Sequence, residues 1–194
     1  MNSYVTGSTI RQLREGRNLT QAELAEKIGV SSKTISKWET AKGLPDISLL
    51  QPLAQALGIS VIELMNGEQI TNRNVSANLL RGKFYVCPVC GNVIHSTGNA
   101  LVSCCGITLP PLEAEEGDEE HGITIENVED EHFLTIHHPM TKQHFISFVA
   151  FVTCDRVQLV KFYPEGNAET RLQLRGMGQL YYYCNRHGLF KKKV

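Results

Sequence analysis

The placement of sulfur and imidazole side chains constrains this chain most. All six cysteines and all seven histidines lie beyond residue 86 of 194. A half without these groups and a half rich in them cannot share one chemistry, so the chain reads as two parts. Charge divides at the same place. Residues 1–86 hold 10 Lys+Arg against 7 Asp+Glu, and the remainder holds 9 against 13. A net charge of −1 therefore hides a mildly basic half joined to an acidic one. With 42% hydrophobic and 20% charged residues, the composition argues against disorder along the whole length. The longest apolar run, about Phe148 to Val152, falls far short of the ~18 residues a membrane span needs. Met1-Asn-Ser-Tyr-Val carries neither the basic nor the apolar region of a secretory signal. The expectation is a cytoplasmic protein with no membrane partner. In a reducing compartment, clustered Cys and His read as metal ligands rather than disulfides.

From Thr6 to about Gly67 the pattern is helical. Thr20-Gln-Ala-Glu23 has the spacing of a capping box, and Gly29 suits a left-handed stop. Ser31 or Ser32 caps the next helix, which turns Ile35 and Trp38 inward. Pro45-Asp46 opens a fourth helix through Leu57, Gly58 ends it, and a short fifth carries Val61, Leu64 and Met65. Polar residues from Glu68 read as a linker over 68–83. From Phe84 the pattern changes to turns and strands: Phe133–His138, Phe145–Val152, Val157–Tyr163, Thr170–Leu174 and Gln179–Cys184. Phe145–Val152 is apolar on nearly both faces, which marks a central strand. Glu113 to Glu120 reads as an acidic loop and Lys191-Lys-Lys193 as a solvated basic tail.

Thr20 to Glu39 resembles the Cro and lambda-repressor type of helix-turn-helix, with the likeness continuing through Pro45, Leu49-Leu50, Leu53-Ala54, Leu57-Gly58 and Leu64. Such a pair of helices sets the second in the major groove of double-stranded DNA. Ser32, Lys33, Ser36 and Lys37 project outward, and Thr34 shares that helix. The resemblance implies that Gln21 anchors a phosphate, while Lys33 and Lys37 either read guanine or contact phosphate. A charge of only +3 points to homodimeric binding on a two-fold site.

Cys87-x-x-Cys90 and Cys104-Cys105 offer four thiolates, a set that zinc and iron both accept. The adjacent second pair departs from a zinc ribbon's two Cys-x-x-Cys knuckles and strains the geometry. With Phe84-Tyr85-Val86 before Cys87 it resembles the desulforedoxin-type mononuclear iron centre. Glu119-Glu120-His121, His138-Pro-Met-x-x-x-His144 and Cys184-Asn-Arg-His187 together resemble the desulfoferrodoxin and superoxide reductase family. The resemblance implies an immunoglobulin-like sandwich and one iron held by His121, His138, His144, His187 and axial Cys184. It also implies that Glu119 binds the oxidised iron, so Glu119 and Cys184 become the catalytic pair. His137 and His138 are strand neighbours facing opposite ways, and only His138 carries the motif. His95 and His132 read as solvent-exposed or hydrogen-bonded structural residues, and Cys154 as a small buried hydrophobe.

One departure stands out. Where that family carries Glu-Lys-His followed shortly by Pro, this chain reads Glu119-Glu120-His121-Gly-Ile. The lysine that attracts superoxide is replaced by Glu120, and an acidic approach disfavours an anion.

The expected fold class is multidomain α + β. It comprises an all-α five-helix helix-turn-helix domain (1–67), a linker (68–83), a desulforedoxin-like four-cysteine knuckle (84–112) and an immunoglobulin-like antiparallel β-sandwich (113–194). The expected function is DNA binding joined to reduction of superoxide at an iron with four histidine ligands and one cysteine ligand. An iron or zinc occupies the four-cysteine centre, and a donor such as a rubredoxin-like protein supplies electrons. The alternative is a transcription regulator that senses superoxide or redox state with little turnover. A weaker third reading is a purely structural metal module for dimerisation.

Overall fold

A computed structural model describes residues 2–194. The chain divides into two compact units, Met1–Ile70 and Thr71–Val194. The boundary falls inside the polar stretch 68–83.

The first unit is five helices: α1 (Ser3–Gly16), α2 (Gln21–Ile28), α3 (Ser32–Glu39), α4 (Ile47–Ala56) and α5 (Val61–Asn66). Short polar residues place their starts. Thr20 and Glu23 close a reciprocal capping box on α2, and Ser60 with Glu63 closes one on α5. Ser31, not Ser32, caps α3 by accepting from the Thr34 amide. Gly29 ends α2 at φ 72°, a left-handed conformation costly for residues with a Cβ. The helices bury Ile10, Leu24, Ile35, Trp38, Leu53, Leu57 and Leu64 in one core. Met65, read with the apolar side of α5, is 39% exposed.

In the second unit, residues 72–82 lie against the knuckle and sandwich. The Asn74 side-chain amide donates to the carbonyls of Thr97 and Asn78, and the Leu79 amide donates to the Cys154 carbonyl at 3.0 Å. Two hairpins follow: β1 (Lys83–Val86) with β2 (Val93–Ser96), and β3 (Val102–Cys104) with β4 (Ile107–Leu109). The remainder is a two-sheet sandwich. One sheet is ordered β10-β7-β6, from β6 (Ile123–Val128), β7 (Glu131–Ile136) and β10 (Glu169–Leu172). The other is β5-β12-β11-β8-β9, from β5 (Ala114–Glu116), β8 (Ile146–Val152), β9 (Val157–Lys161), β11 (Gln179–Cys184) and β12 (Gly188–Lys193). Every residue of β8 is buried. Val149 and Phe151 enter the inter-sheet core, while Phe148, Ala150 and Val152 pack with Phe84 on the other face. Burial on both sides is why its sequence lacks polar alternation.

Several sequence expectations change. Part of the acidic loop is a strand, β5, and it runs parallel to β12, so the sheet is not wholly antiparallel. The basic tail is strand β12: Leu189 and Phe190 are buried, and the Lys192 ammonium donates to the Ile123 carbonyl at 3.0 Å. Two core-facing residues outweigh the three lysines, which keep their charged heads near solvent. Strand β7 stops at Ile136, so His137 and His138 belong to the following loop rather than to a strand. Cys154 is exposed, in the turn after β8. His95 is half-buried with its ring 4.7 Å from Phe84. Neither His95 Nε2 nor His132 Nδ1 has a hydrogen-bond partner among the described residues.

Candidate metal centres and recognition helix

The four cysteine sulfurs of the knuckle lie within 4.8 Å of one another. Gly91 at φ 68° turns the first pair, and its amide closes the turn on the Cys87 carbonyl at 2.9 Å. Cys105 takes φ 52° and Gly106 φ 76°. That reversal is how two adjacent cysteines aim at one point, and it locates the strain expected from their spacing. Cys90 and Cys104 sulfurs are 3.6 Å apart, and those of Cys104 and Cys105 are 3.9 Å apart. Thiolates bonded to one tetrahedral ion at ~2.3 Å lie about 3.8 Å apart, so the set fits a metal. The Cys90 amide, bonding to the Cys87 sulfur, holds that thiol down at about 7, nearer the ionised form a metal needs.

The second cluster draws on three separate segments. His121 follows the loop after β5, His138 and His144 flank the turn between β7 and β8, and Cys184 ends β11. His121, His138, His144 and Cys184 each bring a donor atom within 4.8 Å of the others. His138 Nε2 and His144 Nε2 are 3.0 Å apart, and Cys184 Sγ is 3.5 Å from His138 Nε2. His187, in the β11–β12 turn, adds Nδ1 at 3.0 Å from His121 Nε2 and 3.6 Å from Cys184 Sγ. Two nitrogens bonded at ~2.1 Å and a right angle lie about 3.0 Å apart, so the inward-facing pairs match shared ligation. Both donor sets are consistent with iron sites.

Neighbours orient these ligands. The Asp118 carboxylate lies 2.7 Å from His121 Nδ1, which turns Nε2 inward as the free donor. That contact also holds the Asp118 carboxyl below its usual range. Phe190 stacks on the His121 ring at 4.2 Å, and the Tyr182 hydroxyl donates to the His121 carbonyl at 2.8 Å. Burial, then repulsion from the other imidazoles, pushes His138 down to about 4 and keeps it neutral. Sequence reading missed Asp118, Tyr182 and Phe190. Asp118, three residues before His121, was the one with a local signal. Outside the cluster, Glu119, Glu120 and His137 line a cleft of about 430 Å³ over His121, His138 and His144. His137 is exposed, with Nε2 2.7 Å from the Thr124 hydroxyl.

On α3, Ser32, Lys33 and Lys37 are exposed, while Thr34 and Ser36 are half-buried. The Thr34 hydroxyl lies 2.9 Å from that of the cap, Ser31. Gln21, the first residue of α2, donates from its amide to Glu39 at 2.8 Å. The same carboxylate receives Arg14 Nε at 2.6 Å and Arg14 Nη2 at 3.1 Å, which raises the Arg14 pKa. A buried ion pair thus joins α1 and α3 and holds Gln21 beside them.

Comparison with known proteins agrees with this division. A helix-turn-helix family profile matches residues 10–64, and a desulfoferrodoxin profile matches residues 112–193. The chain belongs to the helix-turn-helix family through its first unit and carries a desulfoferrodoxin domain in its second. It is 43% identical over 61 residues to the HTH-type transcriptional activator BcrR of Enterococcus faecalis, covering 31% of this chain and 30% of that one. It is 33% identical over 60 residues to a desulfoferrodoxin of Clostridium acetobutylicum, covering 31% and 48%. The chain thus spans half or less of the length of these curated relatives. Among solved structures, the superoxide reductase of Treponema pallidum aligns with 58% of this chain and 97% of its own, at TM-score 0.49 and 23% identity. Among the described residues, no helix is long and apolar enough to cross a membrane.

Proposed function

We propose that the desulfoferrodoxin domain reduces superoxide to hydrogen peroxide at an iron held by His121, His138, His144, His187 and Cys184, in a protein that binds double-stranded DNA through α3. The convergence of four imidazoles and one thiol from three separate segments carries this reading. Iron held there would supply the single electron that, with two protons, converts superoxide to hydrogen peroxide, its thiolate ligand raising electron density at the metal, and a donor such as a rubredoxin-like protein would be its electron source. The chain's own residues prepare the site. Burial keeps His138 neutral, Asp118 fixes the His121 tautomer, and Phe190 and Tyr182 hold that ring and its backbone. Glu119 is the carboxylate proposed to meet the oxidised iron at the open cleft. Iron or zinc in the four-cysteine knuckle stabilises the neighbouring hairpins. The DNA contacts are proposed for Gln21, Ser32, Lys33, Thr34, Ser36 and Lys37, with a homodimer on a two-fold site.

A second reading, a regulator that senses superoxide with little turnover, is favoured by one observation. Glu119 and Glu120 are both exposed at the mouth of the cleft, where a like charge slows an approaching anion. The deciding experiment is anaerobic purification, iron and zinc analysis per chain, and visible spectra during a superoxide pulse. Rapid change of the thiolate–iron bands with peroxide formed supports the reductase. Slow oxidation, with operator affinity differing between the two iron states, supports the sensor. Zinc throughout, with no spectral change, overturns both.

A further inference from the structure

Strand β11 ends at Cys184, and the chain turns at 185–187 before β12 begins. Its last pairings with β8 are Tyr183 with Phe148 and Cys184 with Ile146, Ser147 being the extra residue of a β-bulge. One step further, the Asn185 amide donates to the Phe145 carbonyl at 3.1 Å, as a ladder bond would. The return bond does not go to a backbone carbonyl. The Phe145 amide donates instead to Oδ1 of the Asn185 side chain at 2.8 Å. A carboxamide carries the donor and acceptor of a peptide group, so it extends the pairing by one residue while its own backbone turns away. That turn brings His187 back to the cluster.

The other end of the same carboxamide, Nδ2, donates to the Gln143 carbonyl at 3.0 Å, and Arg186 Nε adds a second bond to that oxygen at 3.1 Å. Gln143 and Phe145 flank His144 in the chain. Asn185 therefore grips both peptide groups that meet at His144. Thr141 holds the two remaining polar groups of those peptides. The His144 amide donates to the Thr141 hydroxyl at 3.1 Å, and the Thr141 amide donates to the His144 carbonyl at 2.8 Å. Planar peptides held on both sides fix φ and ψ between them, leaving only the side-chain torsions of His144 to set. The His121 ring is oriented directly, by the Asp118 carboxylate. Among the described residues, no side chain outside the cluster hydrogen-bonds the His144 ring, so its direction comes through its backbone.

On the reading that His144 is an iron ligand, we propose that Asn185 is a positioning residue for that centre. Its carboxamide holds the His144 backbone where the imidazole faces Cys184 and the other histidines. Asn185 is exposed and directly follows Cys184, so one residue ties the thiol-bearing end of β11 to the turn that carries His144. Aspartate lacks the donor for Gln143, and serine offers a single oxygen for two peptides.

Equilibrium competition for ferrous iron between the full chain and graded ferrozine, run without oxygen, reads the affinity of the site. The iron missing from Cys184→Ser identifies the histidine-site ion. Asn185→Ala should bind that iron about 10–100-fold more weakly, the usual cost of removing a partner that orients a ligand. It should also shift the g values of the ferric electron paramagnetic resonance spectrum, which report ligand orientation. Asn185→Asp, which keeps the acceptor for Phe145 and loses the donor to Gln143, should fall between wild type and alanine. Gln158→Ala removes a comparable bond from β9, to the Gln173 carbonyl at 2.9 Å, and should change neither readout. Knuckle metal and near-ultraviolet circular dichroism equal to wild type establish that each variant is folded. Wild-type affinity in Asn185→Ala, weaker binding with an unchanged ferric spectrum, or an equal loss in Gln158→Ala overturns the proposal. Unchanged affinity and spectrum in Asn185→Asp overturn it equally, so the test does not depend on the alanine variant folding. A wild-type chain with no iron at the histidines overturns the ligand set itself, and the part given to Asn185 with it.

Discussion

Replacing Glu39 by alanine should destabilise the helical first unit by about 3 kcal/mol. The Glu39 side chain is 3% exposed and that of Arg14 10%, so the pair is screened from water. The carboxylate accepts three bonds, two from the Arg14 guanidinium and one from Gln21. Removing it strands a buried positive charge, a loss of ~3–5 kcal/mol for broken buried pairs. Arg14 keeps the Leu19 carbonyl at 2.7 Å and a longer contact to the exposed Glu15 at 3.4 Å, which places the loss at the lower end. Stability of ~0.05–0.15 kcal/mol per residue gives a unit of this size about 4–10 kcal/mol, so the change removes roughly 30% or more of it. The assay is urea unfolding followed by tryptophan emission. Trp38 is the single tryptophan of the chain and lies 4% exposed in α3, so it reports on this unit alone. The double replacement Arg14→Met with Glu39→Leu should recover at least ~2 kcal/mol of the loss, because apolar residues of similar volume can replace a buried pair. A loss under ~1 kcal/mol in Glu39→Ala, or a double variant no better than the single, refutes the stranded-charge argument.

Cys184→Ser should lower bound metal by one per chain and abolish the thiolate–iron bands of the histidine site, with the knuckle metal retained; elemental analysis and visible spectra check both. Tyr182→Phe should cost about 1 kcal/mol in the metal-free protein, since the buried His121 carbonyl loses its donor, as read by a circular dichroism melt. Gly117→Ala should cost at least as much, because a Cβ there would overlap the Tyr182 hydroxyl. Glu120→Lys should raise the second-order rate with superoxide and reverse its salt dependence, measured by pulse radiolysis at several ionic strengths; an unchanged rate would remove electrostatic approach from the argument. Lys33→Ala and Lys37→Ala each should reduce the slope of log affinity against log salt by about 1 if the lysine meets phosphate, and relax base preference at one position if it meets guanine, as read from operator binding at graded salt.

Short-range physics was readable along the chain. A capping box spans three residues, a glycine stop concerns one φ angle, and the Cys-x-x-Cys and His-Pro-Met segments are contiguous, so Thr20, Gly29, Cys87, Cys90 and His138 declared themselves. The two-unit division followed from composition, because a metal cluster needs many donors in one place. Tertiary structure decided what depends on register and distance. It set Gln21 against Glu39, put Asp118 and Phe190 on the His121 ring, made a strand of Lys191–Lys193, and exposed Cys154. It also inserted Ser147 as a bulge, a one-residue slip between Tyr183 and Cys184 that no local propensity announces. Side chains 46 to 66 residues apart meet only after the sheets have paired. Pairing is chosen by the burial of whole faces, which is why single positions in it were not legible beforehand.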